Sequence, residues 1–169
     1  TLAPTAQTSS IGNVMLPMMN PARNLFDKDH FSFSRVNWMT NIVDDMSYNF
    51  INFDRGQYGV NVLFFNYGEQ NQSDEFGIIQ SQFTPLSAVY GFNYARKVNK
   101  YNLGLDVKLI THNLHTQNAK GLVFGVGGYF PKVYKDLDLD VMVRNFGFAP
   151  KFGSWKSELP TSVNVAGTY

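Results

Sequence analysis

The 169-residue chain carries a net charge of +1 and no basic run, which sets nucleic-acid binding aside. Charged residues make up only 16% and aromatics reach 15%, a balance that suits a barrel wall facing lipid or a β-sandwich with a large interface. Cysteine is absent, which excludes a disulfide scaffold and thiolate zinc sites.

Residues 1–25 differ from the rest. They hold Pro4, Pro17 and Pro21 and the apolar stretch Val14-Met15-Leu16-Pro17-Met18-Met19. Two prolines four residues apart forbid a long helix, so the segment is expected to be irregular, with at most a short helical turn. Its flexible, apolar methionines suit a piece that packs inside something rather than trailing free. Thr1 to Thr5 has neither the basic start nor the apolar core of a signal peptide, so the chain is expected to begin after processing or to be a piece of a longer protein.

Residues 26–169 read as strand, turn, strand. Strands are predicted near 31–40, 46–54, 58–67, 78–96 (with a break at Pro85), 101–114, 120–131, 136–146 and 161–169. The breaks are turn chemistry: Asp54-Arg55-Gly56-Gln57, Tyr67-Gly68 through Asp74, Asn99-Lys100, Gln117 to Lys120, and Lys132 to Lys135. The longest apolar runs, such as Val62-Leu63-Phe64-Phe65, have strand length, far short of the ~18 residues of a spanning helix. Tight turns at Asn99-Lys100 and Lys132 to Lys135 contrast with longer stretches at 68–77 and 146–160, the loop habit of outer-membrane barrels.

The strands carry a two-sided code. Leu103, Leu105, Val107 and Leu109 alternate with Asp106, Lys108 and His112 on the opposite side. Leu86, Ala88, Tyr90, Phe92 and Tyr94 oppose Ser87, Val89, Gly91, Asn93 and Ala95. In 121–130, Leu122, Phe124, Val126 and Phe130 share a side, with Gly121, Gly125 and Gly127 opposite. Glycine inside a strand weakens it unless something approaches closely, so this glycine side is where residues 1–25 are expected to dock. Asp106, Lys108, Asp136, Asp138, Asp140 and Arg144 share the polar side, where mixed signs can pair across neighbouring strands. Two coverings fit the apolar side equally. One is hydrocarbon, in which a charge at mid-depth would cost about 2–4 kcal/mol. The other is a second protein layer, with the charges solvated.

No pattern points to catalysis, a metal or a cofactor. His112 and His115, three apart in a predicted strand, face opposite ways, and His30 is distant. Asp136, Asp138 and Asp140 are spaced too far apart along a strand for one calcium ion, residues two apart being about 7 Å from each other. Asp44-Asp45 falls in a turn, where aspartates usually cap. Gly125 to Gly128 is not followed by a helix and is no phosphate loop. The serines lack a nucleophile-elbow motif, and Glu69, Asp74 and Glu75 define no carboxylate dyad.

The order of several features resembles the PorV/PorQ group of outer-membrane proteins, within the FadL-like barrel superfamily. The resemblance starts at Met19-Asn20-Pro21-Ala22, similar to that superfamily's Asn-Pro-Ala hatch element. It runs through Trp38, Tyr67-Gly68-Glu69-Gln70, Asp74-Glu75-Phe76-Gly77, Tyr94-Ala95, Gly104 and Lys108-Leu109-Ile110. It ends with Gly125 and Tyr129, Asn145-Phe146-Gly147, Glu158-Leu159-Pro160 and Gly167-Thr168-Tyr169. The resemblance implies an antiparallel transmembrane β-barrel in the outer membrane of a Gram-negative bacterium. Residues 1–25 would form a lumenal hatch centred on Asn20, Pro21 and Ala22, and Asp106, Lys108, Asp138, Asp140 and Arg144 would face the lumen. Family members are longer and carry more than the eight strands counted here, so the chain is expected to be the N-terminal half of one. The implied role is an adaptor of the type IX secretion system whose partners are membrane lipid and secreted cargo or other secretion-system proteins, the loop 68–77 being a secondary candidate for contacts. FadL-like transport of hydrophobic small molecules is the alternative, and a soluble β-sandwich binding module the third reading.

Overall fold

The computed structural model describes residues 20–25, 29–37 and 45–169. Strict alternation of side chains yields β1 (His30–Asn37), β2 (Ser47–Arg55), β3 (Tyr58–Asn66), β6 (Leu86–Val98), β7 (Tyr101–Leu114), β8 (Gln117–Tyr134), β9 (Leu137–Phe148) and β12 (Ser162–Thr168). These eight form one antiparallel sheet in the order β1-β2-β3-β6-β7-β8-β9-β12. Two short hairpins stand apart from it: β4 (Gln70–Ser73) with β5 (Ile79–Phe83), and β10 (Lys151–Phe152) with β11 (Trp155–Lys156). The fold is therefore all-β and antiparallel. Among the described residues the sheet is not closed, since β1 and β12 form its two edges.

Four local expectations are corrected. The strand expected over 78–96 is two strands. Pro85 cannot donate to a ladder, and β5 leaves the main sheet to pair with β4 inside what reads as a loop at 68–77. His115 does not lie in a strand. It sits in the turn joining β7 to β8 with φ 57°, so strand parity does not govern its direction. The expected turn at Lys132 to Lys135 falls at Lys135 and Asp136, because β8 continues to Tyr134 through an irregularity after Phe130. Asp136 is thus an exposed turn residue, 4.0 Å from Lys132 Nζ, and does not share the strand face of Asp138 and Asp140.

The loops sort by rim. At one end β2–β3, β6–β7 and β8–β9 are joined by two residues each. Gly56, Asn99 and Lys135 take the positive φ these tight reversals need. The opposite end carries the β4–β5 hairpin, the β10–β11 hairpin and the longer link from β1 to β2, with the short β7–β8 turn as the exception.

Burial inverts the usual rule for a sheet. On the face holding Asn52, Asp54, Asn93, Asn102, Asp106 and Asp140, these polar side chains are buried. On the opposite face Phe31, Tyr90, Phe92, Leu103, Val126, Val163 and Val165 are exposed, and Leu105 is 55% exposed. Soluble monomers rarely show contiguous apolar surface on this scale. Ser47 and Asn49 break the pattern: they share the apolar face by parity, yet are buried and bonded to each other at 3.1 Å.

Candidate functional site

The buried polar face is organised by one short segment. Pro21–Leu25 forms a single 3-10 turn lying on β6, β7 and β8, with Pro21, Ala22 and Asn24 buried. Proline suits its first position, where no backbone donor is needed. Asn20 starts the turn. Its carbonyl accepts from Arg23 N at 3.0 Å and its Oδ1 from Ala22 N at 3.1 Å.

The glycines of β7 and β8 make room for this turn. A Cβ on Gly104 would sit 2.3 Å from Ala22 N, and one on Gly127 would sit 2.0 Å from Asn20 Oδ1. Gly104 and Gly127 are direct cross-strand partners, so together they open one trough. The glycine side of β8 is therefore where the Asn-Pro-Ala element docks, as its sequence suggests. Gly121 and Gly125 serve other neighbours: Pro150 and Phe148 approach the first, Asp106 and Met142 the second.

Asp140 is the polar anchor, 1% exposed. Its Oδ1 accepts from Arg23 Nε at 2.9 Å and Asn20 Nδ2 at 3.0 Å, and its Oδ2 accepts from Arg23 Nη2. Asn20 Nδ2 also reaches Gly128 O at 3.3 Å. The guanidinium lies 4.8 Å from the centre of the Tyr129 ring, within cation–π range. The hydrogen bond to Asp140 raises the pKa of Arg23 above its already high value. A two-pronged Arg–carboxylate contact fixes orientation as well as charge, so it sets the seat of the turn. Tyr129, which is Asp140's cross-strand partner, donates its hydroxyl to Asp138.

Of the six charges expected on the polar side, all but Asp136 occupy it, but they pair differently from expectation. Lys108 bonds Asp106 two residues away on the same strand, not across the sheet. Arg144 Nε donates to Ser162 Oγ at 3.1 Å. Asp140 is met by the turn, and Asp138 by Tyr129. Residues 1–19 of the expected hatch, Trp38 and Asp44 lie outside the described residues.

Sequence reasoning missed four participants. Arg23 and Asn24 are one and two residues past the Asn-Pro-Ala element, and the polar run Asn20-Pro21-Ala22-Arg23-Asn24 was the signal that could have found them. Ser87 Oγ and His112 Nδ1 lie 2.6 Å apart, with Tyr67 Oη 3.2 Å from Ser87 Oγ. They meet because residues 87 and 112 are cross-strand partners. The contact uses Nδ1, and the His112 ring is covered by Phe152, their centres 5.6 Å apart. Among the described residues no carboxylate hydrogen-bonds the ring, the contact that orients the histidine in a serine relay.

Compared with protein-family models and with curated proteins, the chain gives no match.

Proposed function

We propose that the eight-stranded sheet is the wall of an outer-membrane β-barrel, with the Asn20-to-Leu25 turn as a hatch on its lumenal face. The observation that carries this reading is the inverted burial: polar side chains are buried on the face where the turn lies against β6, β7 and β8, while the leucine, valine and aromatic face is exposed among the described residues. In water that surface would drive association, whereas against hydrocarbon it is matched. The two-residue turns at one rim and the hairpins at the other support the same orientation, short turns facing the periplasm. In this reading further strands lie between the edges β12 and β1, because unpaired strand edges are not tolerated in hydrocarbon.

Within that class we propose an adaptor of the type IX secretion system in a Gram-negative outer membrane, engaging cargo or translocon subunits. The order of residues from Tyr67 to Tyr169, which resembles the PorV/PorQ group, supports it, while Asn20-Pro21-Ala22 resembles the wider FadL-like superfamily. The seated hatch also suits the second reading, FadL-like passage of a hydrophobic small molecule, in which displacing the turn would open the lumen. A soluble sandwich fits less well, since no second sheet covers the apolar face among the described residues. Affinity isolation of the tagged chain from native outer membranes separates the first two. Stoichiometric recovery of secretion components supports the adaptor. Isolation of the barrel alone, with bound fatty acid or a similar amphiphile, supports transport and contradicts the adaptor.

A further inference from the structure

The apolar face changes character at its short-turn end. Phe53, Arg55, Tyr58 and Val60 share that face on the β2–β3 hairpin, Phe53 pairing with Val60 and Arg55 with Tyr58. With Gln57 and Gly59 they line an open groove of about 470 Å³, a size usual for small-ligand sites. Strand β6 extends the same surface. Val60 pairs with Phe92 and Tyr58 with Tyr94, the two tyrosine ring centres lying 5.2 Å apart. Arg96 is the next residue on this side after Tyr94, and the bond from Ala95 N to Gln57 O, at 2.7 Å, holds it beside the β2–β3 turn.

Two guanidiniums therefore bracket the Tyr58–Tyr94 pair, and neither is held firmly by an acid. Arg55 Nε lies 3.7 Å from Asp29 Oδ2, but their side chains are 75% and 66% exposed, and such pairs contribute little. Arg96 is exposed and has no ion pair among the described residues. The rest of this rim has the same sign. Lys97, Lys100, Lys132 and Lys135 are exposed there, against the exposed acids Asp29 and Asp136.

The order along the strands is cation at the turn, tyrosine next, then phenylalanine and valine further in. An anionic phospholipid carries the matching order: phosphate, polar ester boundary, hydrocarbon. Guanidinium forks suit phosphate oxygens, and tyrosine suits a boundary with one wet and one apolar side. We infer that this groove seats one anionic phospholipid, its phosphate between Arg55 and Arg96 and an acyl chain along Phe53, Val60 and Phe92. The inference deepens the barrel-wall reading and rests on it. It adds a particular lipid class at a particular place.

The test is native mass spectrometry of the full chain in detergent, titrated with phosphatidylglycerol or with phosphatidylcholine of the same acyl chains. One phosphatidylglycerol should be retained at a concentration about tenfold below that needed for phosphatidylcholine, since each cation near an anionic lipid adds about a factor of five. The paired substitution Arg55→Gln with Arg96→Gln should remove that preference. Its unchanged binding of phosphatidylcholine reports an intact fold. Lys100→Gln with Lys135→Gln, on the same rim but off the groove, should keep the preference. Glycerol 3-phosphate in equimolar amount should not displace the lipid, because it has no chain for the apolar wall. Equal binding of the two lipids, a preference that survives loss of both arginines or falls equally with both lysines, or displacement by glycerol 3-phosphate overturns the groove and leaves the barrel wall standing. Retention of neither lipid overturns the wall reading and the groove together.

Discussion

On β7, Asn102, Gly104 and Asp106 are buried, while their immediate neighbours Leu103 and Leu105 are about half exposed. The backbone is the same; only the side of the sheet differs. One side is covered by a short turn that brings its own guanidinium and amides. The other has no covering among the described residues, although its side chains are those that most repay removal from water. Covering chemistry, rather than strand propensity, is what distinguishes the two sides, and the difference can be broken from either one.

The largest effect is expected on the covered side. Arg23→Ala leaves Asp140 buried without its two-pronged partner. Breaking such a pair from one end costs about 3–5 kcal/mol, read as a lowered urea midpoint of the detergent-solubilised chain. Asp140→Asn in the same background should recover part of the loss by removing the stranded charge.

On the bare side, Leu105→Arg tests the hydrocarbon reading. A cation there at mid-depth should cost about 2–4 kcal/mol in a bilayer, seen as reduced insertion into lipid vesicles. If Leu105 faces water, the same change should be close to neutral, because exposed surface substitutions usually are.

A smaller effect separates the hatch from the sheet. Gly104→Val places carbon atoms where Ala22 N and Pro21 already lie. Overpacking of this kind typically costs about 1–3 kcal/mol, and the turn, not the ladder, should give way. Trypsin should then cleave after Arg23 several-fold faster than in the wild type, with hydrogen exchange of β7 unchanged.

The smallest effect lies at the long-loop rim. Asp74 accepts from Ile78 N at 2.9 Å, Phe76 N at 3.0 Å and Gln80 Nε2 at 2.8 Å, an arrangement that holds the tip between β4 and β5. The Ile78 amide above all, helped by Gln80 and Phe76, holds its carboxyl below the ordinary carboxylate value, against an opposing effect of desolvation that exceeds either of those two helpers. A depressed pKa means the contribution is complete above the unfolded-state value of about 3.9 and is lost as pH falls through the folded one. After correction for intrinsic rates, exchange protection at Ile78 and Phe76 should be constant from neutrality to about pH 5, then fall below about pH 4. In Asp74→Asn that pH dependence should vanish.

The two-sided code was legible in sequence because strand periodicity fixes sidedness residue by residue. Leu103, Leu105, Val107 and Leu109 do oppose Asp106, Lys108 and His112, and the sheet has the eight strands that pattern gave. The glycines of β8 pointed to a close visitor, and Gly127 has one. What could not be read was pairing at a distance. Arg23 and Asp140 are 117 residues apart, and their contact depends on the register of three strands and on how the turn sits. Ser87 and His112 meet through cross-strand register, which no local spacing reveals. Chain direction at the rims was equally hidden. Only the tertiary fold shows that 79–83 turns back on 70–73 instead of entering the main sheet.

The apolar side decides the account, and the absence of cysteine makes it directly measurable. Single cysteines at Tyr90, Phe92, Leu103, Leu105 and Val163, spin-labelled in lipid vesicles, report collisions with oxygen and with a water-soluble nickel chelate. A cysteine at Phe76, on the tip between β4 and β5, serves as the aqueous reference. Oxygen should dominate at the five sheet positions and the chelate at Phe76. Chelate contact at the sheet positions equal to that at Phe76, or contact with neither reagent, would contradict a lipid-facing wall.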